Sequence, residues 1–192
     1  SKDRVVKYFE EFAKKINAPV IENINVLQVD KYSENNFFIK TSAGEFEAKN
    51  VICATGAFQV PVIPSIIPED SNILQMHSQF YKNPEQLKKG AVLVVGSGSS
   101  GSQIAEELNR VNKEVYFSIG PHDRPPRRYR GKDNVWWLGV LGKWEAKTPK
   151  PGTQHVTIAV SGYDGGKTID FRKFAHNGIT LLGMTKKFEN GK

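Results

Sequence analysis

The chain has 192 residues, 24% of them charged and 39% hydrophobic, a balance that suits one large folded domain or one domain with part of another. No apolar run approaches the roughly 20 residues that a membrane-crossing helix needs. The single cysteine, Cys53, excludes an internal disulfide, a CxxC redox pair and a thiolate zinc cluster.

That cysteine count fits a reducing cytoplasm, and no charged-then-apolar leader opens the sequence. The net charge of +7 invites a nucleic-acid reading. Arg124, Arg127, Arg128, Arg130 and Lys132 crowd into nine residues. Such a cluster suits a compact anion as well as a nucleic acid, so charge alone does not decide.

Val5, Phe9, Phe12 and Ile16 recur at steps of four, three and four, which predicts an amphipathic helix ended by Pro19. Three β-rich runs follow at 20–32, 37–42 and 45–54, the last after a turn at Ala43-Gly44, and predict a three-stranded meander. Phe38, Phe46, Val51 and Cys53 are expected in its core. Pro61 and Pro64 hold the next stretch extended and mark a connector. The expected organisation is a first domain over 1–60, a connector over 61–70 and a second domain over 71–192.

In the second domain a short strand is expected at 73–76 and a helix start at Asn83-Pro84-Glu85. Residues 91–95 form a continuous apolar run, as in a strand buried on both faces of a parallel sheet. A helix over 99–111 follows, with Ile104, Ala105 and Leu108 inward, and then a strand over 114–119. Further elements are a helix at 135–141, a strand at 156–160, a helix at 168–177 stopped by Gly178, and a strand at 179–182. This alternation predicts an α/β fold: a Rossmann-like parallel sheet with helices on both faces, preceded by a helix and the meander.

Gly96-Ser97-Gly98-Ser99-Ser100-Gly101 matches GxGxxG. The pattern is weak alone and strong here, because a buried strand precedes it and a helix begins inside it. Gly96 permits the tight turn, Gly98 clears the approach of a pyrophosphate, and Gly101 lets helix and strand pack closely. The helix-start amides face the anion. The alternative is a strand-to-helix turn with no ligand.

Dinucleotide sites for NAD place an acid about 20 residues after the motif begins, on the ribose 2′-hydroxyl. No acid stands there: the stretch reads Tyr116-Phe117-Ser118-Ile119-Gly120-Pro121, and Asp123 comes late. Ser118 could hydrogen-bond a phosphate, and the guanidinium groups of Arg124, Arg127 and Arg128 match a 2′-phosphate in charge and shape. NADP(H) is therefore expected over NAD(H), with one or two of these arginines in contact and the others on a solvated face.

Ala54-Thr55-Gly56 with Pro61 and Pro64, followed by GxGxxG, resembles flavoproteins with two dinucleotide-binding domains, above all the flavin-containing monooxygenases and related bacterial flavoproteins. The segments His77-Ser78-Gln79-Phe80-Tyr81-Lys82-Asn83-Pro84 and Pro126-Arg127-Arg128-Tyr129-Arg130-Gly131 add to the likeness. The resemblance runs from about residue 5 to 185 and implies that the chain is a piece of a larger flavoenzyme. Residues 1–60 would be the later part of its FAD domain, with Thr55 and Gly56 at the cofactor. The remainder would be most of its NADPH domain, with His77 near the nicotinamide or coupling the domains. FAD then belongs to the intact parent, whose upstream GxGxxG is not in this chain. The family's FxGxxxHxxxW fingerprint survives only at His77, since Ser71, Ile73 and Tyr81 stand at the other places. That departure shifts the implied chemistry from monooxygenation towards a broader NADPH-dependent flavin reduction.

His77 has an alternative reading as a histidine satisfied by local hydrogen bonds. His122, His155 and His176 form no ligand spacing, so no metal site is expected, and no catalytic residue can be named. Trp136 and Trp137 are read as core or interface residues. Three functions remain. The first is the NADP(H)-binding portion of a flavin-dependent oxidoreductase acting on a small molecule. The second is a nucleotide-binding module with no catalysis of its own. The third is a nucleic-acid binder using the 124–132 loop, which lacks the aromatic interleaving of such readers. Neither nucleic acid nor membrane is expected as a partner.

Overall fold

The stripe of Val5, Phe9, Phe12 and Ile16 begins on a helix, α1 (Lys2–Lys15), in a computed structural model that describes residues 2–56, 59–68, 72–122, 124–147 and 160–189. Lys14 and Lys15 occupy its last turn, where cations complement the helix dipole. Asn17 at φ +50° ends it, with the Ala18 amide donating to the Ala13 carbonyl at 2.9 Å. The chain divides into two units, Ser1–Gln59 and Val60–Lys192.

The rest of the first unit is an antiparallel meander of β1 (Val26–Ser33), β2 (Asn36–Thr41) and β3 (Gly44–Ala48). Both turns are two residues long, and the Thr41 hydroxyl closes the second by donating to the Gly44 carbonyl at 2.7 Å. The third strand ends earlier than the sequence predicts. Pairing stops at Ala48, so the following backbone joins no ladder, and Phe46, Val51 and Cys53 are exposed rather than core.

The second unit is built on a parallel sheet in the order β4 (Val92–Val95), β5 (Val115–Ser118), β8 (Thr180–Leu182). Between β4 and β5 runs α2 (Ser99–Arg110). A two-stranded ribbon, β6 (Arg128–Tyr129) and β7 (Lys132–Asp133), leads into α3 (Asn134–Val140), and α4 (Phe171–His176) precedes β8. The core gathers Val94, Ala105, Leu108, Val115, Phe117, Ile169, Phe171, Phe174 and Ile179. Phe117 meets Phe171 edge-on with ring centroids 5.3 Å apart, which fixes α4 against the middle strand.

Among the described residues that core lies on one face of β4. Leu93 and Val95, pointing the other way, are 44% and 55% exposed, so the apolar run is not sealed on both sides here. A short apolar run does not by itself separate one-faced from two-faced burial. Residues 73–76 form no strand, and Asn83 caps a single 3₁₀ turn, Pro84–Gln86. The strand expected at 156–160 lies almost wholly outside the described residues, as do Asp123, His155 and Ser71.

Candidate functional site

The three glycines of the turn have three distinct environments. Gly96 sits at φ +98°, a backbone that other residues rarely adopt, and its amide donates to the Ser118 carbonyl at 3.1 Å. Gly98, the N-cap of α2, is extended at φ −69° and ψ −173°. A Cβ added there would meet no atom within 4 Å, so its bare face opens on free space. Gly101 is the opposite case: its added Cβ would stand 1.9 Å from the Gly96 carbonyl oxygen and 3.6 Å from Val94 Cγ1. Turn, helix and strand therefore close on one another at Gly101 and leave room outside Gly98.

The serines divide similarly. Ser97 is buried, and its carbonyl accepts from the Ser102 hydroxyl at 3.4 Å. Ser99 Oγ accepts from the Val160 amide at 3.1 Å, while Ser100 is exposed. The opening amides of α2 have no partners within the helix, and no acid occupies its first turn, so this end is positive. The second unit also carries the whole charge excess, because the first holds eight basic and eight acidic residues.

The arginines separate in their surroundings. The Arg124 guanidinium donates through Nη2 to the Ser97 carbonyl and lies over the Phe171 ring, 4.7 Å from its centroid, at the edge of the glycine turn. Arg127 points into protein. Its Nε donates to Asp133 Oδ2 at 2.8 Å, its Nη1 to the Ser161 carbonyl at 3.4 Å, and its amide to Thr168 Oγ1 at 2.9 Å. The Asp133 carboxyl is held below its ordinary pKa by the Val135 amide first and by Arg127 second. Arg128 is exposed on the ribbon.

Ser118 is 2% exposed. Its hydroxyl donates to the Gly183 carbonyl at 3.0 Å and accepts from the Thr185 amide at 3.0 Å and the Thr185 hydroxyl at 2.7 Å. It ties β5 to the chain after β8, which leaves its hydroxyl little capacity for a ligand. His77 is half-buried, and its Nδ1 accepts from the Gln79 amide at 3.2 Å. Thr55 and Gly56 lie in the first unit. Gly56 takes φ +78°, and the Gln59 side chain donates to the Thr55 carbonyl.

Other partners at the site come from other parts of the chain. Phe171 carries Arg124, and Asp133 both caps α3 and holds Arg127. A cleft of 340 Å³ runs along α2 beside Tyr81, Glu107, Arg110 and Tyr163. The Tyr81 hydroxyl donates to Glu107 at 2.8 Å, and burial followed by that bond raises its pKa. An Asp directly before a helix is a cap signal that points to Asp133. Phe171 has no comparable local signature.

Residues 1–134 match the family model described as pyridine nucleotide-disulphide oxidoreductase. The chain belongs to that family. Its relatives include a CzcO-like oxidoreductase of Geobacillus kaustophilus (strain HTA426), 40% identical over 144 residues, and the oxidoreductase CzcO of Bacillus subtilis (strain 168), 41% identical over 152. Each alignment covers 74% of this chain and 41% of the relative, so the chain spans about two fifths of their length. A thiol-specific monooxygenase of Saccharomyces cerevisiae is 39% identical over 85 residues, covering 42% of this chain and 19% of that protein.

The pyridine nucleotide-disulphide oxidoreductase fold extends to a solved structure. The bacillithiol disulfide reductase Bdr of Staphylococcus aureus superposes with a TM-score of 0.53 over 98% of this chain and 56% of its own, at 16% identity. That likeness is one of fold. With Cys53 as its one cysteine, this member of the family has no dithiol pair within the chain. Among the described residues no helix is long and apolar enough to cross a membrane, and no group of acids, histidines and cysteine could hold a metal ion.

Proposed function

We propose that the second unit binds NADP(H) and that the chain is the nicotinamide-nucleotide portion of a flavin-dependent oxidoreductase whose FAD belongs to the larger protein. The observation that carries this reading is the pairing of open space at Gly98 with Arg124 at the edge of the same turn. The α2 amides of Ser99 and Ser100 would hold the pyrophosphate, and Gly98 would let it approach. Arg124 and exposed Arg128 would take the 2′-phosphate. The Ser118 side chain is already engaged with Gly183 and Thr185, and that of Arg127 with Asp133.

When bound, the nicotinamide supplies hydride for reduction of the flavin. Thr55, Gly56 and His77 would serve that larger assembly: the first two beside the FAD, the third where the domains couple. The relatives' names support an oxidoreductase, and the monooxygenase relative keeps oxygen chemistry open. The substrate would be a small molecule, with no nucleic acid or membrane involved, and the site of action the cytoplasm. The 192 residues alone bind nucleotide without turnover in this reading.

The test is calorimetric titration of the chain with NADPH and with NADH. Tighter binding of NADPH that Arg124→Ala abolishes supports the reading. A folded sample that binds neither at millimolar concentration overturns it.

A further inference from the structure

The arginine loop ends in a ribbon that cannot stand alone. β6 and β7 pair through only Arg128↔Asp133 and Tyr129↔Lys132, and an isolated two-stranded ribbon is marginal in water. Its turn places Arg130 at φ +47° and Gly131 at φ +71°. Glycine and asparagine suit two such positions, whereas arginine at the first carries a backbone cost. Contacts from outside the ribbon must hold it.

On one side the Trp137 indole donates to the Tyr129 carbonyl at 3.0 Å, and the contacts to the base of the ribbon converge on Arg127. Its carbonyl accepts from the Asn134 amide at 2.7 Å, across the base of the ribbon. Its guanidinium grips Asp133 on the opposite strand and reaches the Ser161 carbonyl, while its amide is held by Thr168. Gly166 packs so closely that an added Cβ would lie 3.3 Å from Arg127 Nε. The side chains of Arg127 and Asp133 are only 22% and 33% exposed. Between Arg127 and Arg124 stand Pro125 and Pro126, whose rings and effect on the preceding residue leave few backbone freedoms. Fixing Arg127 therefore limits where the Arg124 backbone can lie, while Ser97 and Phe171 hold its guanidinium.

We propose that Arg127 is a positioning residue: it latches the 128–133 ribbon to the 160–168 segment and so aims Arg124 and Arg128 at a 2′-phosphate that it does not touch. The aim rests on the NADP(H) reading; the latch does not.

Two measurements on the 192-residue chain separate them. The first is the rate of tryptic cleavage after Arg128 and Arg130 without nucleotide, followed by mass spectrometry. The second is affinity for NADPH and NADH. In Arg127→Ala the ribbon should be cut several-fold faster, and NADPH affinity should fall about fivefold with NADH unchanged, as loss of one sheltered ion pair implies. Arg127→Lys, which keeps the charge opposite Asp133, should restore part of both.

Asp133→Asn guards against misfolding, since its amide oxygen can still cap the Val135 amide while the ion pair is lost. It should reproduce the Arg127→Ala pattern. If instead it leaves cleavage unchanged and keeps or raises NADPH affinity, Arg127 is a direct phosphate ligand and the latch is overturned. Unchanged cleavage in Arg127→Ala overturns it as well. Equal affinity of the unaltered chain for NADPH and NADH sinks the NADP(H) reading alone, and the cleavage rates still judge the latch.

Discussion

A Cβ placed on Gly101 would stand 1.9 Å from the carbonyl oxygen of Gly96. The obstacle is main chain, so no rotamer change relieves it. Gly101→Ala must therefore push α2 away from β4 and disturb Val94, Ala105 and Leu108 in the core. We expect a loss of about 3 kcal/mol, as for overpacked core positions. Chemical denaturation checks this, and a midpoint within error of the unaltered chain would rule out the close approach.

Gly98→Ala should behave in the reverse manner. Its backbone lies in an extended region open to any residue, and its added methyl meets nothing. Folding should lose no more than about 1 kcal/mol, the cost of a poorer N-cap. The methyl would occupy the space assigned to the pyrophosphate, so nucleotide affinity should drop at least tenfold for NADPH and NADH alike. A variant that binds both normally would place the pyrophosphate elsewhere.

The contrast between these glycines marks what is legible in the sequence. A strand–GxGxxG–helix unit is local: its run of valines, three glycines and apolar helix positions lie within 20 consecutive residues. The arginine loop is organised by longer reach. Arg127 meets Ser161 and Thr168, and Arg124 meets Phe171, across separations that periodicity does not encode. The ribbon at 128–133 escapes notice because Arg130-Gly131 lacks the Asn-Gly signature of such turns. Ser118 ends β5, and its hydroxyl bonds Gly183 and Thr185, partners far along the chain that no local pattern announces.

Arg124→Ala removes the charge nearest the turn. If its guanidinium pairs with the 2′-phosphate, NADPH affinity should fall about ten- to a hundredfold, in line with a charge-assisted hydrogen bond. NADH affinity should move little. Isothermal titration with both nucleotides decides, and an equal loss for the two would mean that Arg124 acts only on the turn through Ser97.

Phe117 is fully buried at the meeting of β5 and α4, with Phe171 and Phe174 against it. Phe117→Ala should cost about 3–5 kcal/mol. Because Phe171 is also the platform under Arg124, preference for NADPH should weaken even where the variant remains folded. Phe117→Leu keeps most of the volume and should retain that preference. Loss of stability without any change in preference would separate the platform from the core.

Two carboxylates cap helices beside this site, and their protonation sets an acid limit. Asp170 caps α4 and is held below the ordinary carboxyl pKa mainly by the Arg172 side chain, with the Arg172 amide adding to it. Asp133 caps α3 and is lowered by the Val135 amide and Arg127. A depressed folded pKa means that the unfolded chain takes up protons first. The stabilisation is therefore complete above the unfolded value of 3.8 and is lost as pH falls from there through the folded values. Urea midpoints should thus show a constant deficit of Asp170→Asn relative to the unaltered chain from neutral pH to about pH 4.5, which narrows below that. A deficit that vanishes between pH 7 and 5, or persists undiminished to pH 2, would mean that the carboxylate charge at α4 is not what the cap depends on.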